Sequence, residues 1–203
     1  MIGITVSRTR RAFALAVALV AATTALAACA SPAATPASSP AATSAADSHN
    51  DVDVEFATQM VPHHQQALDM VAMTEGRDLS PEFAELTQAM KAAQTDEIGL
   101  MTSWLDRWGV DPAAAESDHM AMMHDDSMGM MTDDDLAALR DSAAINFETM
   151  WLTMMIQHHE GAITMAQDEL ANGMDADVRA LATGIVSAQQ DEIAQMKAMI
   201  AAG

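Results

Sequence analysis

Two histidine pairs stand at matched places in this chain, His63-His64 and His158-His159. Met60 and Met155 lie one helical turn before each pair, and Met70 and Met165 lie about two turns after it. Thioether sulfur is a soft, neutral ligand and imidazole is a borderline one. Together they favour Cu(I), and to a lesser extent Cu(II) or Ag(I), over Mg, Ca or Mn. A second soft-donor set lies between the pairs. Within a loop over residues 118–131 are His119, Met120, Met122, Met123, His124, Met128, Met130 and Met131. An apolar Met gains nothing from exposure to water, so such a loop reads as a copper-capture segment. Drift in an Ala/Met-rich chain is the blander explanation. For the pairs, Met as core filler is the competing reading. Against it, eighteen Met but only ten Leu follow residue 28, an inversion of ordinary usage.

The elements that must position these residues form an internal repeat. At an offset of 95 residues Met60, His63, His64, Ala67 and Met70 fall on Met155, His158, His159, Ala162 and Met165. The same offset carries Gln94, Glu97 and Met101 onto Gln189, Glu192 and Met196, and Phe56 onto Trp151. Two copies of one αα-hairpin follow. The first helix spans about residues 52–74, with Pro62 expected to kink it. The second is capped by Ser80 and ends near Gly109. A short helix opens at Thr132. The third long helix covers about residues 142–171 and stops at Asn172-Gly173, and Asp175 caps the fourth. At 100° per residue, Phe56, Met60, both His and Met70 share an arc of about 120°. So do their counterparts, which places the His pairs on stripes that must be buried. Met90, Gln94, Glu97, Met101, Leu105 and Trp108 share one face of the second helix. Ile185, Gln189, Glu192, Met196 and Ile200 share one face of the fourth. A buried carboxylate needs a partner. Glu97 and Glu192, with Gln94 and Gln189 beside them, are therefore expected to orient the His rings from behind. Adjacent residues point about 100° apart, so which His of each pair is a ligand stays open.

The net charge is −20, which argues against phosphate-backbone binding and against attraction to anionic lipid. No nucleic-acid partner is expected. Arg8, Arg10 and Arg11, followed by a short apolar run, form a leader over residues 1–28. Leu26-Ala27-Ala28-Cys29 resembles a lipobox whose Cys is acylated. Thr9-Arg10-Arg11 leaves twin-arginine export open beside the general route. Residues 29–50 are rich in Pro, Ser, Ala and Thr and read as a disordered tether to the membrane. Cys29 is the only Cys, so a disulfide framework, a Cys zinc cage and a blue-copper site are excluded. No nucleophile stands with a base, and an enzyme is not expected. Residues 51–203 form the folded domain, an all-α bundle of four helices built from the two hairpins.

The Phe56, Met60, His63, His64, Ala67, Met70 pattern resembles domain-of-unknown-function family 305. So do Met155, His158, His159, Gly161, Ala162 and Met165, and the QxxEIxxM segments downstream. The resemblance implies a ferritin-like fold and a secreted or lipid-anchored copper-binding protein. Two other readings compete. One is a ferritin-like bundle with a carboxylate/His site for Fe, Mn or Zn, although the Glu-x-x-His pairs of that class are missing from the inward stripes. The other is a metal-free module whose Met groove binds a partner. The favoured expectation is an extracytoplasmic lipoprotein that sequesters, stores or transfers copper, Cu(I) foremost, with a copper-handling protein as a further partner. Excising residues 118–131 is expected to lower capacity and leave the fold intact.

Overall fold

Three of the helices begin where side chains take up free N–H groups. The Asn50 side chain accepts from Val52 and Asp53, and Asp53 returns a bond to the Asn50 N–H. Thr132 and Asp135 form the same reciprocal pair, and Asp175 accepts from Asp177 and Val178. The structure, a computed structural model, describes residues 48–111 and 128–202. Among the described residues it is all-α. The helices are α1 Asp51–Ala72, α2 Pro81–Trp108, α3 Asp133–Asp141, α4 Ala144–Asn172 and α5 Ala176–Ala202. The leader, Cys29, most of the tether and His119, Met120, Met122, Met123 and His124 lie outside the described residues. No described helix is long and apolar enough to cross a membrane.

Ser80 departs from expectation. Its side chain makes no capping bond to α2. Instead its N–H and hydroxyl both donate to Glu148, at 2.7 and 2.8 Å. The equivalent arrangement joins Asp53 to the other hairpin, where it accepts from the N–H groups of Met174 (3.1 Å) and Asp175 (2.9 Å). Positions 53 and 148, like 80 and 175, are one repeat apart. Each hairpin thus lends a carboxylate from its first helix to the start of the other's second helix, where the helix dipole favours negative charge. Trp151 adds a third tie, its indole N–H donating to the Met70 carbonyl at 2.8 Å. These contacts set α1 and α4 antiparallel. The α1–α2 and α4–α5 hairpins meet through their first helices, and α3 packs on α4. Continuous through Pro62, α1 loses there only the bond a proline cannot donate.

The buried apolar residues form two clusters that repeat one another. Phe56, Met60, Met101, Trp104 and Met165 belong to one, and Met70, Met90, Trp151, Met155 and Met196 to the other. Both draw Met from the two hairpins: Met60 and Met101 join Met165 in one, and Met155 and Met196 join Met70 and Met90 in the other. Ile200 departs from its expected inward place, being 36% exposed at the frayed end of α5.

The end of the Met-rich segment is not a free loop. Met131 is 4% exposed and belongs to the second cluster. The Gln66 amide brackets its backbone, donating to the Met131 carbonyl at 2.8 Å and accepting from its N–H at 2.7 Å. Gly161, the repeat partner of Gln66, lets the same strand of backbone lie on α4. A Cβ at Gly161 would collide with the Met128 carbonyl, and one at Gly129 with the Gln157 carbonyl. Residues 128–131 therefore belong to the core, and the excision that spares the fold must stop at 127. Gly161→Ala is expected to destabilise the protein by about 1–3 kcal/mol, as overpacking does. Urea midpoints check this; an unchanged midpoint would show that the segment shifts without cost.

Candidate metal centre

Four rings line up along the α1–α4 contact. His63 and His158 lie against each other with centroids 3.7 Å apart and planes tilted by 37°. His64 and His159 flank them, each 6.4 Å from its neighbour in sequence. All four are at most 1% exposed. The row sits between the two Met clusters, because Met60 and Met70 bracket it on α1, as Met155 and Met165 do on α4.

The expected His–Glu pairs are present and repeat with the chain. His64 Nε2 donates to Glu97 Oε2 at 2.7 Å, and His159 Nε2 donates to Glu192 Oε2 at 2.7 Å. The Glu side chains keep 21% and 20% exposure while the rings have none. With Nε2 as the donor, the lone pair falls on Nδ1. In both rings Nδ1 is buried and makes no hydrogen bond. Carboxylate-backed imidazole with a bare second nitrogen is the arrangement of metal-ligating histidines. Gln94 and Gln189, 3% and 4% exposed, likewise carry side-chain oxygens without a donor.

The inner pair differs. His63 Nε2 donates to the Met128 carbonyl at 3.0 Å, so the Met-rich segment reaches the centre through its backbone. Neither His158 ring nitrogen makes a hydrogen bond. Burial, then the neighbouring His63, His159 and His64, hold its pKa well below the usual imidazole value. The His63 backbone opposes this only weakly. His158 is therefore neutral near pH 7 and keeps a free lone pair.

This donor set suits a soft ion. Among the described residues, no three His, Cys, Asp or Glu side chains converge as a metal-binding group. A carboxylate-and-histidine centre of the iron or manganese kind is therefore not assembled by them. The same two helices, α1 and α4, carry the buried thioethers Met60, Met70, Met155 and Met165. Met101 and Met196, 0% exposed, belong with them, though the sequence placed them only on the inward stripe. They follow Glu97 and Glu192 by one turn, and that spacing was the available signal. Met131 lies in the core, and Met128 packs at its edge; for Met130 the structure gives only half-burial.

A second buried polar pair had no signal in the repeat. Asp53 and Glu169 are both 0% exposed, and neither Glu169 carboxyl oxygen meets a hydrogen-bond partner. Burial raises the Glu169 pKa to about 8, aided by the charge of Asp53. Burial also pushes Asp53 upward. The N–H groups of Asn50, Asp175 and Met174 outweigh it and leave Asp53 below the usual range. The two carboxyls share one proton. A Cβ at Gly173 would strike the Glu169 carboxyl, which is why the residue after α4 is a glycine despite its ordinary φ of −68°.

Comparison with known proteins gives a consistent picture. Residues 53–200 match the family described as Domain of unknown function (DUF305). A DUF305 protein from Streptomyces coelicolor is 30% identical with a TM-score of 0.67, covering 77% of this chain and 94% of its own. A DUF305 fragment from Deinococcus radiodurans is 28% identical, TM-score 0.65, covering 76% and 98%. CopM in its Cu(II)-bound form is 32% identical, TM-score 0.63, covering 73% and 95%. CopM is also known in Cu(I)-bound and Ag-bound forms. No curated protein matches the sequence. The match over nearly all of the described helices, with both His pairs and both carboxylate partners inside it, makes this chain a member of the DUF305 family.

Proposed function

We propose that the protein is an extracytoplasmic copper-binding lipoprotein, and not an enzyme. Anchored at Cys29, it sequesters, stores or passes on copper, with Cu(I) the preferred form. The observation that carries this is the pair of bare, buried Nδ1 atoms on His64 and His159, each backed by a carboxylate and set beside buried thioethers. Copper and silver binding by CopM, a relative of the same fold, supports it. In this reading His64 and His159, with Met60, Met101 and Met165 on one side and Met70, Met155 and Met196 on the other, hold the ions. Glu97 and Glu192 fix the rings. The Met-rich residues up to 127 capture copper before it reaches the core. A ferritin-like bundle topology and a copper-handling protein partner belong to the same proposal.

Soft and hard ions separate the readings. Cu(I) and Ag(I) should raise the melting temperature by mass action, while Mn(II) and Mg(II) should not. Binding should persist near about pH 5, since thioethers do not protonate. Scanning calorimetry with each ion checks this; a larger shift with Mn(II) or Fe(II) would move the function to a carboxylate site.

A further inference from the structure

Among the described residues, the repeat duplicates the Met clusters but not their access. Beside Met165 a cavity of about 160 Å³ opens between α1 and α4, lined by Glu55, Gln59, Met128, Asp168 and Glu169 among others. Glu55 and Asp168 are exposed at its mouth, and Met128, Met165 and Phe56 lead into the Met60–Met101–Met165 cluster. One repeat away, Glu55 becomes Met150, Gln59 becomes Met154 and Asp168 becomes Met73. Those three pack against the second cluster, as does Leu136 of α3. A shallow groove over Met150 and Met154 is otherwise lined by Asn146, Thr149 and Thr153, with no carboxylate.

We propose that the cleft at Glu55, Asp168 and Met128 is a loading port through which a soft monovalent cation reaches the Met60–Met101–Met165 cluster, and that the second cluster has no such port. The proposal rests on the copper reading above. Low-dielectric walls with charge of one sign at the mouth concentrate counter-ions and speed their arrival. Met128 and Met165 offer thioethers along the wall, so a desolvating Cu(I) or Ag(I) ion meets soft donors before the core. The second cluster must fill through packed apolar side chains, which open only by fluctuation. The two halves of the repeat should therefore load at different rates.

Stopped-flow mixing of the full chain with silver nitrate in chloride-free buffer tests this. Tryptophan emission follows loading, since Trp104 lies in the first cluster and Trp151 in the second. Two phases are expected. Glu55→Gln/Asp168→Asn should slow only the fast one, roughly tenfold at low salt, and flatten its salt dependence. Final stoichiometry and the slow phase should not change. Glu82→Gln/Glu85→Gln, which removes the same charge from the exposed start of α2, should leave both rates alone. An unchanged fast phase, or equal slowing in the control, overturns the port. Uptake of no silver by the unaltered protein would instead sink the copper reading itself.

Discussion

Replacing His63, His64, His158 and His159 by Ala should abolish the tightest Cu(I) site. In a titration against a competing chelator, residual binding should come only from thioethers, at least about 100-fold weaker. The reasoning is geometric. His64 and His159 each present one bare buried nitrogen, and in both the other nitrogen is committed to a carboxylate at 2.7 Å. Removing four buried rings also leaves space, so a second variant guards against simple unfolding. Glu97→Gln/Glu192→Gln keeps every ring and every thioether. An amide oxygen can still accept from Nε2–H, but without charge it no longer raises the basicity of Nδ1. Affinity should fall about 10- to 100-fold, the usual effect of altering a residue that supports a metal-bound His. Helicity should hold. Unchanged affinity in both variants would make the histidines structural packing.

The repeat explains why so much of this centre was legible in sequence. A gapless offset of 95 fixes which residues must be equivalent, and helical periodicity turns those residues to one side. His–Glu pairing followed from the cost of burying Glu97 and Glu192 unpartnered. Periodicity alone could not divide each pair, since adjacent residues diverge by about 100°. The structure divides them: the second His meets the carboxylate of its own hairpin, and the first meets its counterpart across the α1–α4 contact. What stayed hidden is whatever breaks the symmetry or crosses between copies. Gln66 and Gly161 occupy equivalent positions and both serve the 128–131 backbone, one by bonding it and one by making room. No shared residue type marks that role. Ser80 reads as a cap because local rules see only its own helix, whereas its partner Glu148 comes from the other hairpin. Glu169 has Thr74 as its repeat equivalent, so self-comparison passes over it.

That same residue should govern the stability of the protein against alkali. Glu169 is held protonated in the fold up to about pH 8, whereas its ordinary value is 4.5. A carboxyl whose folded pKa is raised contributes stability that is full below its unfolded value and lost as pH rises through the folded one. At about 1.4 kcal/mol per unit the loss is on the order of 5 kcal/mol between about pH 4.5 and 8. Asp53 works in the opposite direction. Its lowered pKa adds stability above 3.8 that disappears in acid. His158, buried neutral, also weakens the fold as pH drops below 6.5. Comparing Glu169→Gln with the unaltered protein cancels the His158 contribution, and Asp53, with its lowered pKa, titrates in acid below the window compared. The Gln amide keeps the shape of the side chain and cannot ionise. The variant should match the parent near pH 5 and exceed it by roughly 10 °C in melting temperature near pH 8.5. Glu169→Ala should behave differently, losing stability across the pH range because the buried site gains a cavity. Coincident pH profiles for parent and Glu169→Gln would mean that the buried proton is not there.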